Sequence, residues 1–360
     1  MRLAVAGVCL AVAPVILAQD KRTELHPFPT DAEIHRMLVE RVDVKRQTMG
    51  MVVGIVTPAE RRVVAYGHFA QDDPRLVDGD TIFEIGSVTK VFTALLLAEM
   101  EQRGEVGIDD AVSRYLPAGA KVHSTHGREM TLTDLATHTS GLPFWPSNIP
   151  PDVNGARMMA DYTVAQLYQF VAGFEVPAEV GSRWAYSNID AGLLGLALGH
   201  RARADYETLL RQRITGPLGM TSTAATLSPE LQARRAIGHD KALERAPRWD
   251  VPALVGAGSL HSTANDLLTF LAAAMGEVSS PLAPAFRSML QTRREGPGFE
   301  QALGWWIFTD AEKNQLATHV GGTLGFSSQL SYDPKRRIGI VVLSNSVNAV
   351  ADVTTQLLKR

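Results

Sequence analysis

Cysteine is almost missing from this sequence: Cys9 is the only one in 360 residues. It lies in an apolar run from Leu3 to Leu17, which follows Met1-Arg2 and ends at Ala18, before the polar Gln19-Asp20-Lys21-Arg22. A positive start, a short apolar core and a small exit residue predict a cleaved secretory signal over 1–18. The run falls short of the roughly 20 apolar residues of a spanning helix. No stable membrane span is therefore expected after cleavage, and the expected destination is the periplasm or the medium. From residue 19 onward the chain has no cysteine. That excludes disulfides, a thiol nucleophile and thiolate metal sites in the mature protein.

An excess of one charge is also missing. Lysine and arginine number 35 against 38 aspartates and glutamates, for a net charge of −3. No basic block stands out, so nucleic acid is not an expected partner. Fixed-period repeats and low-complexity tracts are absent, which excludes solenoids and biased linkers. His123 and His126 have no ligand partner at a recognisable metal spacing and read as loop residues.

What is present falls into two patterns. Thr30-Asp31-Ala32-Glu33 reads as a capped helix start, with the helix running to about Lys45. Met51 to Thr57 and Arg62 to Gly67 are β-branched runs around Pro58-Ala59-Glu60, a hairpin signal. Ser327 to Tyr332 and Ile338 to Leu343 repeat it around Asp333-Pro334-Lys335, and Val347 to Leu358 is helical in pattern. Between them, Thr133 to Thr137, Val164 to Val171, Ala191 to Leu198 and Ala264 to Ala274 read as helices. The simplest assembly is an α/β (α+β) fold in which one antiparallel sheet joins both hairpins and terminal helices flank it. An inserted, mostly helical lobe would take about 87–289, and the α/β lobe about 25–86 and 290–360. All of it would lie in one unit over 19–360, with the cleft between lobes as the favoured ligand site.

Three constellations carry chemistry. Ser87-Val88-Thr89-Lys90 opens the run Val91 to Met100, which is apolar nearly all round and so predicts a central, buried helix. Lysine three residues after serine stands on the same face, one turn along. An ammonium in such a site tends to lose its proton and then serves as a base for the hydroxyl. The serine stands where free backbone N–H groups favour developing negative charge. Taken alone, the pair also reads as a capping serine with a solvated lysine. In Tyr186-Ser187-Asn188, residues two apart in an extended stretch point the same way. A core-edge tyrosine with a capping asparagine is the plainer reading of that tripeptide. Thr318-His319-Val320-Gly321-Gly322 is a glycine-rich strand that admits close backbone approach; a lone His319 would more often be structural.

Serine-lysine, then tyrosine-asparagine, then His-x-Gly on a C-terminal strand resembles the serine β-lactamase and penicillin-binding protein superfamily. Within it, the chain is similar to the class C β-lactamase-like branch and its D,D-peptidase, peptidoglycan-recycling and esterase relatives. Phe83-Glu84-Ile85-Gly86 before Ser87, Asp134 to Pro143, Gly258 to Asp266 and Gly304-Trp305-Trp306 share the likeness, which spans the expected mature chain. The resemblance implies a β-lactamase/transpeptidase-like fold and a serine hydrolase acting through an acyl-enzyme. It implies Ser87 as nucleophile, with Lys90 and Tyr186 managing the proton and Tyr186 acting as base and then acid. Asn188 would orient the substrate amide, and the N–H groups of Ser87 and Gly322 would form the oxyanion hole, with His319 and Gly321 on the substrate-binding strand. It implies no metal or other cofactor, and assigns His138 to scaffold near the cleft.

One departure stands out. Class C β-lactamases carry Lys-Thr-Gly where this chain has His319-Val320-Gly321. Histidine is charged only part of the time near neutrality, and valine has no hydroxyl, so weaker recognition of a carboxylate is expected. That favours a D,D-carboxypeptidase or endopeptidase, or a weak β-lactamase. A carboxylesterase on small esters is the alternative, and a penicillin-sensing binding module the third reading. The substrate would be a peptidoglycan peptide, a β-lactam or an ester.

Overall fold

A computed structural model describes residues 28–358, apart from 123, 125, 126, 150–158, 178, 311 and 312. The expected signal over 1–18, His123 and His126 lie outside the described residues.

Thr30 caps the first helix, Asp31–Val39 (α1), through the expected reciprocal box with Glu33, and a π-turn extends it to Val44. Both predicted hairpins form: Gly50–Val56 (β1) with Arg61–Ala70 (β2), and Ser327–Asp333 (β10) with Ile338–Ser344 (β11). They join where β1 pairs antiparallel with β11, Met51 opposite Ser344. The remaining strands are Asp73–Leu76 (β3), Phe83–Glu84 (β4), His261–Ser262 (β5), Arg294–Gly296 (β6), Phe299–Gln301 (β7), Trp306–Thr309 (β8) and Gln315–Gly322 (β9). The main sheet runs β3-β2-β1-β11-β10-β9-β8-β7-β6, antiparallel throughout. β4 and β5 pair separately.

The sheet is covered on both faces, so β1 is buried along its length instead of alternating. Met51, Val53 and Ile55 meet Ile34 and Leu38 of α1 and Val353 and Leu357 of the C-terminal helix Ala351–Leu358. Val52 and Val56 face the larger core. The helix Ala264–Ala274 falls within the stretch 87–289 assigned to the helical lobe, yet it packs on β1 and β11. Its apolar face is drawn to the sheet because Leu267, Leu268 and Leu271 need burial.

The helix Thr89–Gln102 (α2) is buried from Thr89 to Met100, as its all-round apolar character predicts. The helices Leu132–Ala136 (α3), Val164–Gly173 (α4) and Asn188–Ala202 (α5) appear where expected. α5 begins three residues earlier than the predicted Ala191, because the Ser187 hydroxyl caps it by accepting from the Asp190 N–H.

Candidate active site

Ser87 lies in a 3₁₀ turn, Gly86–Val88, that runs into α2. β9 closes on this turn. Gly86 has φ +48°, and a Cβ there would stand 2.7 Å from both N and O of Gly322. A Cβ on Gly321 would stand 2.0 Å from the Ile85 carbonyl. Ser328, opposite Gly321 on β10, donates its hydroxyl to that carbonyl at 2.8 Å. The strand and the Ser87 turn are thus pinned at backbone distance, which only glycine permits here.

The ladder also orients Gly322. Thr323 N–H donates to the Phe326 carbonyl at 3.0 Å, making those two a hydrogen-bonded pair. Gly322 pairs with Ser327 one step along, and antiparallel pairs alternate between bonded and non-bonded. The Gly322 N–H therefore turns away from β10, to the side where Gly86 lies.

Lys90 is 4% exposed, and its Nζ has three partners: Ser87 Oγ at 2.9 Å, Asn188 Oδ1 at 2.8 Å and the Ala257 carbonyl at 2.8 Å. Burial pushes the ammonium down to about 7, with Asp190 opposing. Nζ also lies 4.9 Å from the centre of the Tyr186 ring. That ring is walled by Phe144, Trp184 and Trp306 at 5.9, 6.3 and 6.1 Å between centroids. Burial pushes the phenol upward, with its hydrogen bond to Ser87 opposing. Tyr186 and Asn188 converge because α5 starts between them, and not by strand alternation. Asn188 is buried, its Oδ1 spent on Lys90 and its Nδ2 donating to the Phe144 carbonyl at 3.4 Å.

His319 on β9 is 1% exposed. It stacks on Trp306 at 4.7 Å, and its Nδ1 lies 2.8 Å from the Val320 carbonyl. Burial, then Lys90, hold its conjugate acid down to about 3, so it is neutral at ordinary pH.

The Beta-lactamase family matches residues 34–358 of this chain. The protein belongs to the β-lactamase family. Such a match over nearly the whole length makes the chain a serine hydrolase. It is 27% identical over 331 residues to the D-alanyl-D-alanine-carboxypeptidase/endopeptidase AmpH of Escherichia coli K12, covering 86% of this chain and 84% of that protein. It is 26% identical to a β-lactamase of Lysobacter lactamgenus, over 88% and 86% of the two chains. The class C β-lactamase structure from Rhodobacter sphaeroides superposes with a TM-score of 0.76 at 26% identity, over 90% of this chain and 99% of the other. The family fold expected from the motifs is the one found.

Ser87, Lys90, Tyr186, Asn188, His319, Gly321 and Gly322 thus come together in this β-lactamase-family cleft. Two residues read as scaffold, or not singled out, join them. His138, at φ +59°, packs its ring 4.4 Å from that of Tyr186 and accepts from the Ser187 N–H at Nδ1, 3.3 Å away. Asp190 is fully buried, accepts from the Ser140 hydroxyl, and leaves Oδ2 without a partner, 3.5 Å from His138 Nδ1. Burial drives the carboxyl well up and the imidazole well down, which favours the neutral form of each. The third partner of Lys90, a backbone carbonyl, has no side-chain signal.

Proposed function

We propose that the protein is exported and cleaves its substrate through an acyl-enzyme on Ser87. The substrate class is D-Ala-terminated peptides or β-lactams, with a D,D-carboxypeptidase, endopeptidase or β-lactamase outcome. The names of the relatives support that class. The observation that carries the mechanism is the set of partners around Lys90. A neutral amine has two N–H donors and one lone pair. Asn188 Oδ1 and the Ala257 carbonyl can only accept, so they take both donors. The lone pair is then left for the third neighbour, the Ser87 hydroxyl.

Acylation follows from that arrangement. The Ser87 O–H proton moves to Lys90 Nζ while Oγ bonds to the carbonyl carbon. Negative charge gathers on the carbonyl oxygen, toward the N–H groups of Ser87 and Gly322. Removing one such donor typically costs on the order of 10²–10³ in rate. When the C–N bond breaks, the Tyr186 hydroxyl hands its proton to the leaving nitrogen and recovers one from the Lys90 ammonium. Water then cleaves the acyl ester. A phenol pushed upward by burial is a better proton relay than resting base. The amine near 7 takes the base's part.

The neutral state of His319 favours a second reading, a carboxylesterase on small esters, because an ester pocket needs no cation for a carboxylate. Intact-mass spectrometry over time, with a penicillin and with a D-Ala-D-Ala peptide, tests both. A lasting penicilloyl mass on the Ser87 peptide marks a penicillin-binding peptidase. A fleeting adduct with penicillin consumed marks a β-lactamase. Neither adduct nor hydrolysis sinks the first reading and leaves the esterase.

A further inference from the structure

His138 stands just past α3, at a backbone angle that L side chains rarely adopt, and is buried. Its bonds run to the residues on either side of Tyr186. The Ala185 N–H donates to its carbonyl at 2.8 Å, and the Ser187 N–H to its Nδ1 at 3.3 Å. Its ring packs 4.4 Å from the Tyr186 ring, with 37° between the planes, and meets Trp184 edge-on at 6.2 Å. One residue thus ties the chain before and after Tyr186 and also supports the phenol itself.

The same bonds exclude a role for His138 as a base. Nδ1 has one lone pair, and the Ser187 N–H takes it. The neutral ring then carries its hydrogen on Nε2. Burial, then the Lys90 charge, oppose a second proton. Nδ1 therefore has no hydrogen to give Asp190 Oδ2, 3.5 Å away, which is left without a partner. An aspartate that orients a basic imidazole needs that hydrogen. The two side chains have the spacing of such a dyad without its bond.

We propose that His138 is a positioning residue for Tyr186: it ties Ala185 and Ser187, packs on the ring, and so fixes the phenol where it protonates the leaving group. The proposal rests on the proton transfer from Tyr186 in the acyl-enzyme reading. That step matters unequally among substrates. An amine cannot leave an amide without a proton. A thiol is acidic enough, with an unperturbed pKa of about 8.5, for a thiolate to leave a thioester without one. A displaced Tyr186 should therefore harm amide cleavage and spare thioester cleavage.

The test compares an acyl-D-Ala-D-Ala peptide with the thioester that has thiolactate in place of the last D-alanine. Both give the same acyl-enzyme, so kcat/KM reports its formation alone. His138→Phe keeps a ring beside Tyr186 and removes the acceptor for Ser187. It should lower kcat/KM at least about tenfold on the amide, because a placed general acid is worth about 10²–10⁴. The thioester should lose no more than about twofold. His138→Asn suits the left-handed backbone and removes the ring; it should lower the amide-to-thioester ratio as well, and it decides the matter if His138→Phe does not fold. A purely structural role would lower both substrates alike. An unchanged ratio in either variant, with native circular dichroism, would overturn the proposal. Tyr186→Phe separates the two failures. If it lowers the ratio while the His138 variants do not, only the role of His138 falls. If it leaves the ratio unchanged, the proton transfer from Tyr186 falls and the proposal with it. Should the protein cleave only esters, ethyl and p-nitrophenyl esters of one acid take the places of amide and thioester.

Discussion

Lys90 at the start of α2 and His319 near the end of β9 are both buried, and burial holds the conjugate acid of each below its usual value. Their partners make them different. Lys90 has two obligate acceptors and one hydroxyl around one nitrogen, so in the proposed mechanism its lone pair is directed at Ser87. His319 has a single obligate acceptor, the Val320 carbonyl at Nδ1, and stacks on Trp306. Burial sets the direction of both shifts, while the count of acceptors sets where the electrons point. The supports of the two regions differ as well. α2 is held by apolar packing all round, and the end of β9 by backbone contact with the turn before Ser87. Damage to the first should abolish chemistry, and damage to the second should degrade it.

The largest effect is expected at Ser87. Ser87→Ala should remove every hydrolytic activity, a loss of 10³ or more by order of magnitude. It should leave thermal unfolding nearly unchanged, because the Ser87 side chain caps neither its turn nor α2. Residual turnover above about one part in 10³ would place the nucleophile elsewhere. Next comes Gly321→Ala. Its Cβ would meet the Ile85 carbonyl at 2.0 Å and Ser328 Oγ at 2.4 Å, so β9 must back away from the Ser87 turn. A displacement near 1 Å costs about 10²-fold in a positioned site. The fall should appear in kcat, and an unaltered kcat would mean that this contact does not position the catalytic groups.

The same comparison shows what was legible beforehand. The terminal hairpins, α1, α2 and the serine-lysine pair were readable because each rests on local periodicity or fixed spacing. β6, β7 and β8 were not called as strands: they are three or four residues long, and their pattern of partly exposed residues carries no clear alternation. The α5 start was misplaced because Ser187, not Asn188, supplies the cap. His138 was unreadable as a site residue. Its contact with Tyr186 depends on a left-handed backbone turn and on α5, far on in the chain, coming alongside. The Ala257 and Ile85 carbonyls are beyond any side-chain pattern, yet one partners Lys90 and the other sets how close β9 comes.

A pH profile tests whether Lys90 alone titrates. In the proposed mechanism the active form is the free amine, so activity should fall as pH drops below its shifted value. With Lys90 near 7, kcat/KM should decline about tenfold per pH unit below that point and flatten above it. His319 is held near 3 and contributes no limb in this window. His319→Gln exchanges one neutral group for another and should leave the limb in place. A limb that vanishes in His319→Gln would give the titration to the imidazole and erase the contrast between the two residues.

The smallest effect is expected at Ser328. Its hydroxyl donates to the Ile85 carbonyl from a position only 1% exposed, where water cannot readily take its place. Ser328→Ala removes a bond worth about 1 kcal/mol net, or roughly fivefold. It adds no atom, so β9 and the Ser87 turn loosen without being driven apart. That is the reverse of Gly321→Ala, which adds an atom against both the hydroxyl and the carbonyl and forces the separation. The pair therefore divides tethering from crowding at one carbonyl. Steady-state kinetics should show kcat down a few-fold in Ser328→Ala, with the pH limb unmoved, because Lys90 and its acceptors are untouched. A loss as large as that of Gly321→Ala would mean that the bond, and not the glycine's close approach, holds β9 against the Ser87 turn.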